Sequence, residues 1–295
     1  MQHWMNRYIV SLVMCVFFAS TAHAEPDPAD YSFAQFQIFA IADKLAESKP
    51  EVFEADAELL AQYLQPGKAP ASFMAFLVGV PGGLALIDTG FGNQESKLME
   101  GLSAAGVKPE DISHVLLTHM HMDHIGGLAW EGAPAFPNAQ ILVAKAESDF
   151  WQGEEASADG APTKANADLA KKLIAMYKDR VTHFAFGDTV LSNITAMDAS
   201  GHTPGHTAYL LESKNQRLLF VGDLLHSTAL QMPRPDIVSI YDMDKEKTAA
   251  TRKRVLSYAA ERNIPLAGQH FPFAAVGNVK AEGEGFVYTP LDKLE

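Results

Sequence analysis

"LLTHMHMDHIGGL", residues 116–128, sets three histidines and an aspartate within six positions, directly after an apolar strand. A core has no use for such a run, because every buried imidazole or carboxylate needs a partner. Two readings compete: a solvated turn that is His-rich by chance, or a loop that holds metal. In an extended loop His119 and His121 point to the same side and can grip one ion. Asp123 and His124 lie where the chain turns into a helix, so they can face a second ion close by. Imidazole nitrogen and carboxylate oxygen suit Zn²⁺, and also Mn²⁺, Fe or Co. Gly126 and Gly127 let the start of that helix approach the loop closely.

Three further segments of the same chemistry follow predicted strands: "SGHTPGHT" (200–207), "FVGDLLH" (220–226) and "GQHFPF" (268–273). Loops after strands carry function because a rigid sheet positions them while their side chains stay free. Four such loops in one chain decide against the solvated turn.

The totals bound the rest. The chain has 295 residues, 47% of them apolar and 20% charged, as in a globular protein with a substantial core. A net charge of −13 argues against nucleic acid or an anionic membrane surface as partner. Residues 1–24 have Arg7 as their sole formal charge, an apolar run from Ile9 to Ala19, and Ala22-His23-Ala24 before a cleavage site. They read as a signal peptide, too short in their apolar run for a membrane anchor. Export to the periplasm or beyond is expected, with residues 25–295 as a single mature domain. The only cysteine, Cys15, lies in the leader, so any metal site is built from His, Asp or Glu.

Strands are expected at 36–42, 73–78, 84–88, 115–117, 141–143, 181–186, 193–197, 207–212, 217–221 and 285–288. Helices are expected at 93–105, 146–151, 167–178 and 244–262. Strand groups separated by helices suggest an α/β sandwich with helices outside two sheets. Residues 152–165 (QGEEASADGAPTKA) read as a surface loop in the place of a lid.

"HMHMDH", "GHTPGH", "GD" and the late His together resemble the metallo-β-lactamase superfamily. "FPNAQILVAKAESDFW", "GHTPGHTAYLLES" and "KAEGEGFVYTP" are similar to the branch that holds methyl parathion hydrolase and secreted lactonases and esterases. The resemblance implies a four-layer αββα sandwich with two divalent ions, zinc first among them, at one edge of the sheets. It implies His119, His121 and His202 on the first ion and Asp123, His124 and His270 on the second, with Asp223 bridging. His206 and Asp88 are expected to support these ligands from behind.

Such a pair of ions shares a water and lowers its pKa from about 15.7 toward about 7, giving a bridging hydroxide. Asp123 is expected to carry its proton to the leaving group. Where the zinc β-lactamases place a Cys the chain has Asp223, and a secreted acidic protein lacks the basic region that a glutathione thioester hydrolase needs. A carboxyl ester or lactone, small and neutral, is therefore the expected substrate, with a phosphotriester as the alternative. A zinc-binding protein without catalysis is the reading from a different class. Trp151, His226, Phe271 and Phe91, with Phe273, are the expected pocket walls. His226 stands where the methyl parathion hydrolase branch has an apolar ring, which favours the ester or lactone. Homodimers are common among such relatives, but no interface patch is legible.

Overall fold

The computed structural model describes residues 26–65 and 68–294; the expected leader at 1–24 lies outside the described residues. Strands β1 (Ala29–Phe33), β2 (Phe36–Ser48), β3 (Ala69–Val80), β4 (Gly83–Ile87) and β5 (Ile112–Leu116) begin the first sheet. A small hairpin of β6 (Ala129–Trp130) and β7 (Ala133–Pro134) stands apart from it. With β8 (Gln140–Ala144) and β9 (Val181–Phe184) the sheet runs in the order β1-β2-β3-β4-β5-β8-β9. The second sheet takes β10 (Thr189–Leu191), β11 (Ile194–Asp198), β12 (Thr207–Ser213), β13 (Gln216–Phe220), β14 (Leu266–Ala267), β15 (Val276–Glu282) and β16 (Gly285–Pro290) in sequence order. Helices α1 (Ala57–Tyr63), α2 (Leu98–Ala104), α3 (Met122–Ile125), α4 (Lys145–Gln152), α5 (Lys164–Tyr177), α6 (Thr228–Gln231) and α7 (Lys245–Arg262) complete the fold.

The layers follow from period two. In β3, Met74, Phe76 and Val78 enter the core shared with the second sheet, while Ala75 and Leu77 face the other way. In β8, Leu142 and Ala144 face inward, and Ile141 and Val143 pack with Leu173, Ile174 and Tyr177 of α5. Both faces of this sheet are thus apolar, which is why its strands read as unbroken apolar runs. The second sheet gives Tyr209, Leu211, Leu219, Phe220 and Leu266 to the common core, and α7 adds Val255, Leu256 and Ala259. This is the expected αββα sandwich.

Boundaries moved where side chains rather than periodicity set them. The helix expected from Asn93 begins at Leu98. Asn93 instead accepts the amide of Glu95, and buried Asp43 takes the amides of Lys97 and Leu98. The helix expected from 167 starts earlier, at Lys164, and residues 153–163 form successive turns. Strands β1 and β15 and helix α1 were not expected. Among the described residues, no helix is long and apolar enough to cross a membrane.

Strand direction places the site. β4, β5 and β8 are mutually parallel, as are β13 and β14, so their carboxyl ends collect at one edge of the sandwich. Asp88, the 118–124 loop, Glu147, Asp223 and His270 all follow those ends.

Candidate metal centre

Leaving β5, the chain is pinned at once. Thr118 donates to Asp88 through its amide (2.8 Å) and its hydroxyl (2.7 Å). The turn into α3 is fixed by Thr89, whose amide and hydroxyl both donate to the carbonyl of His124, at 2.7 and 2.8 Å. That approach is possible because residues 126 and 127 are glycines. A Cβ there would lie 1.9 Å from the Phe91 carbonyl oxygen and 2.0 Å from that of Thr89.

The structure brings all seven expected ligands together. One group is His119, His121, His202 and Asp223; the other is Asp123, His124, Asp223 and His270. Within each, the donor atoms lie within 4.8 Å of one another, and Asp223 belongs to both. His121 presents Nδ1, 3.0 Å from both His119 Nε2 and His202 Nε2. Asp223 Oδ2 is 3.3 Å from His202 Nε2 and 3.1 Å from His270 Nε2. Asp223 Oδ1 is 3.0 Å from His124 Nε2, yet neither atom has a hydrogen-bond partner. Asp123 Oδ2 is 3.5 Å from His124 Nε2 and 3.7 Å from His270 Nε2.

These spacings test whether divalent ions fit. Donors arranged tetrahedrally at about 2.0–2.2 Å from an ion are roughly 3.3–3.6 Å apart, and the closest pairs quoted above run from 3.0 to 3.7 Å, in groups no wider than 4.8 Å. Two buried atoms without partners, facing each other, would be costly in a plain core and are satisfied by a shared cation. The donor set fits a dinuclear metal site.

Outer partners fix which nitrogen faces inward. His202 Nδ1 meets Asp242 at 2.8 Å, His124 Nδ1 meets Asp88 at 2.8 Å, and His270 Nδ1 meets the Ser72 carbonyl at 2.6 Å. His206 supports rather than ligates. Its Nδ1 meets the Ala199 carbonyl at 2.8 Å, and its Nε2 accepts the Asp223 amide at 3.0 Å. His114 and His183, outside the motifs, meet Ser113 and Ser148.

Burial alone would depress every ring here, and the carboxylates decide which escape. Burial and the neighbouring rings hold His121 at about 3. Asp223 and Asp242 outweigh burial at His202 and raise it to about 9. Asp223, Asp123 and Asp88 outweigh it at His124, which also rises. In the chelator-stripped chain a proton on His202 stabilises the fold below about 6.5. That contribution is lost as pH rises through about 9. The depressed rings act below this window. The stripped protein's Tm should therefore fall by a few degrees between these values. The metal-loaded protein, whose His202 is deprotonated throughout, should stay flat. Identical slopes in thermal melts of the two forms would remove the raised rings, His202, His124 and His270, from the donor set.

Three expected pocket residues lie elsewhere. Trp151 is buried behind His121, with ring centroids 5.4 Å apart, and its Nε1 donates to Glu147 at 2.7 Å. A buried indole needs such a partner, and Glu147 holds it away from the cavity. Phe271 is buried against Tyr288, at 5.0 Å. The tight turn at 268–271, closed by Phe271 N donating to the Gly268 carbonyl at 3.2 Å, sends Phe271 into the core while His270 faces the site. Phe273 is partly exposed and does not line the cavity. Phe91 and His226 do line it, and the wall is completed by Phe73, 4.7 Å from Phe91 and 5.0 Å from His270. The cavity, of about 270 Å³, opens onto Asp123, Asp223 and His270.

Sequence reading missed Glu147, Asp242, Gln269 and Phe73. Glu147 accepts from Met120 N, Trp151 Nε1, Thr203 Oγ1 and Gly205 N, joining two ligand loops. Gln269 Nε2 donates to Asp88 at 2.7 Å. Only the apolar run of β3 hinted at Phe73.

The profile of the metallo-beta-lactamase superfamily matches residues 74–266, more than half of the chain. The chain belongs to that superfamily. Among solved structures, it is similar to the hydrolase AbOPH of the beta lactamase superfamily, at 29% identity and a TM-score of 0.84, covering 91% of this chain and 99% of that one. It is also similar to AidC, a dizinc quorum-quenching lactonase solved with a product, N-hexanoyl-L-homoserine. There the identity is 26% and the TM-score 0.80, over 90% of this chain and 97% of that one. An N-acyl homoserine lactonase of Bacillus cereus is 26% identical over 43% of this chain and 44% of its own length. The chain spans about half the length of such curated relatives.

Proposed function

We propose that the protein is a zinc-dependent hydrolase that opens a neutral carboxyl ester or lactone. One observation carries the reading: seven donors gather for two cations, and four of them, His121, Asp123, Asp223 and His270, border a cavity whose remaining walls are largely apolar. The lactonases among its relatives support it. Five imidazole nitrogens and two carboxylates suit zinc.

When bound, the cations supply an activated water at neutral pH and neutralise charge developing on the substrate. The chain's own groups do the rest. Burial works against ionisation of Asp123, but His124 and His270 outweigh it and hold the carboxyl below its usual range. It begins as an anion at the cavity floor, placed to take the attacking water's proton and return it to the leaving oxygen. His226 turns Nε2 toward Asp223 Oδ2, at 3.3 Å, and its buried Nδ1 has no hydrogen-bond partner. Phe73 and Phe91 exclude water and stack on an apolar arm.

The edge-to-face pair of Phe73 and Phe91 also favours a second reading, attack on an aryl phosphotriester as in the methyl parathion hydrolase branch. A panel of aryl ester, aliphatic lactone, acyl-homoserine lactone and methyl parathion, ranked by kcat/KM, tests both. Ester or lactone turnover that chelator abolishes and zinc restores is expected to lead the ranking. Zinc-loaded protein inert on all four would sink both readings in favour of a zinc-binding protein. Residues 1–24 we read as an export leader, with residues 25–295 as one domain; N-terminal sequencing of the exported form should begin at Glu25.

A further inference from the structure

The active cavity runs away from the ligands along β3. Phe73 touches His270, while Ala69, Pro70 and Ala71, also in the wall, lie further down the strand. Four residues of strand span about 13 Å. Ala69 and Ala71 leave this arm wide, and its walls there are apolar apart from Ser48. At the end stands Phe53, 4% exposed and packed with Val52, Leu60, Leu64, Ala69, Leu230 and Ile237.

A second hollow of about 480 Å³ lies over α1, lined by Pro50, Glu54, Leu60 and Leu64 among others. Phe53 is the residue that borders both spaces. Its backbone is fixed on either side. Phe53 N donates to the Pro50 carbonyl at 3.0 Å, Glu54 N to Val238 at 2.9 Å, and Ile240 N to Val52 at 2.9 Å. A side chain so held is a wall and not a hinge.

We propose that Phe53 is the end stop of the substrate arm, setting the longest unbranched acyl or alkyl chain the cavity accepts. The inference rests on the ester or lactone reading for its substrate class. Carbon–carbon bonds of about 1.5 Å advance roughly 1.25 Å per carbon in a zigzag, so about 13 Å holds roughly eight to ten carbons.

The experiment uses p-nitrophenyl esters of straight-chain acids from C2 to C16 on the zinc-loaded full chain. Each buried methylene is worth about fourfold in kcat/KM, carried mainly by KM because it binds ground and transition states alike. The wild type should climb at that rate to roughly C8–C10 and then level or fall. Phe53→Ala should move the break at least about four carbons further, as the chain passes into the hollow over α1. Phe53→Ala with Ala61→Phe, which refills that hollow, should bring it back. Phe53→Leu, a milder change, should shift the break part-way and serves if Phe53→Ala does not fold. A folded, zinc-replete Phe53 variant with the wild-type break would overturn the proposal. Free acids of the same lengths, titrated by calorimetry, give the break in Kd without turnover. If no ester is hydrolysed, a break that moves with Phe53 keeps the end stop and rejects the ester reading; one that does not move rejects the end stop.

Discussion

Asp223→Ala is expected to bind no more than one tightly held ion and to lose about 10³- to 10⁴-fold in kcat, as the removal of several kcal/mol of Lewis-acid stabilisation requires. Asp223 is the one side chain in both donor groups, and a water entering from the cavity in its place brings no fixed negative charge. His124, His270 and His119 hold its carboxyl well below the ordinary range despite burial, so the anion is present at every working pH. Without it those rings lose the carboxylate they share, and only Asp123 remains beside Nε2 of His124 and of His270, at 3.5 and 3.7 Å. Metal content by elemental analysis and kcat on the preferred ester or lactone check the expectation. Two tightly bound ions and near-native turnover would refute the bridging role.

Glu147→Ala is expected to lower stability by at least about 3 kcal/mol, because it strands four buried donors at once. In a domain of this size that is a fall in Tm of about 6–12 °C. Glu147 ties Met120, between two ligands, to Thr203 and Gly205 beside a third, so zinc affinity should also drop about 10- to 100-fold. Glu147→Gln keeps an acceptor for Met120 and Trp151 but turns an amide toward the Gly205 N–H. It should fall between the two. Calorimetric melts and competition with a chromogenic chelator measure both effects. An alanine variant with native Tm and native zinc affinity would show that the ligand loops hold themselves.

The 119–124 loop was legible as a metal site because metal chemistry restricts residue type and short spacing restricts direction, while His202, Asp223 and His270 were assigned as ligands through the family resemblance. His119 and His121 had to share a side, and Asp123 had to lie beyond the bend. The residues behind them were not legible, because their roles exist only after folding. Glu147 sits in "KAESDFW" and Asp242 in "YDMDKEK", where nothing in residue type or spacing marks one acid among its charged neighbours, yet both are buried against ligand loops. The aromatic walls failed for a related reason. Which side of the turn at 268–271 meets the cavity is set by packing, and that sent Phe271 inward and left Phe73 in its place. Sheet architecture was readable from apolar runs, but β1, β15 and α1 carry mixed patterns that only packing resolves.

The chain passes from one sheet to the other once, between Phe184 and Thr189. His119, His121, Asp123 and His124 come before that crossing, and His202, Asp223 and His270 after it. Neither half alone can cage a cation pair, so the ions act as a clasp across the open rim of the sandwich. Their binding energy adds to cohesion by mass action, which makes the protein's endurance track the local supply of metal as well as its apolar interior.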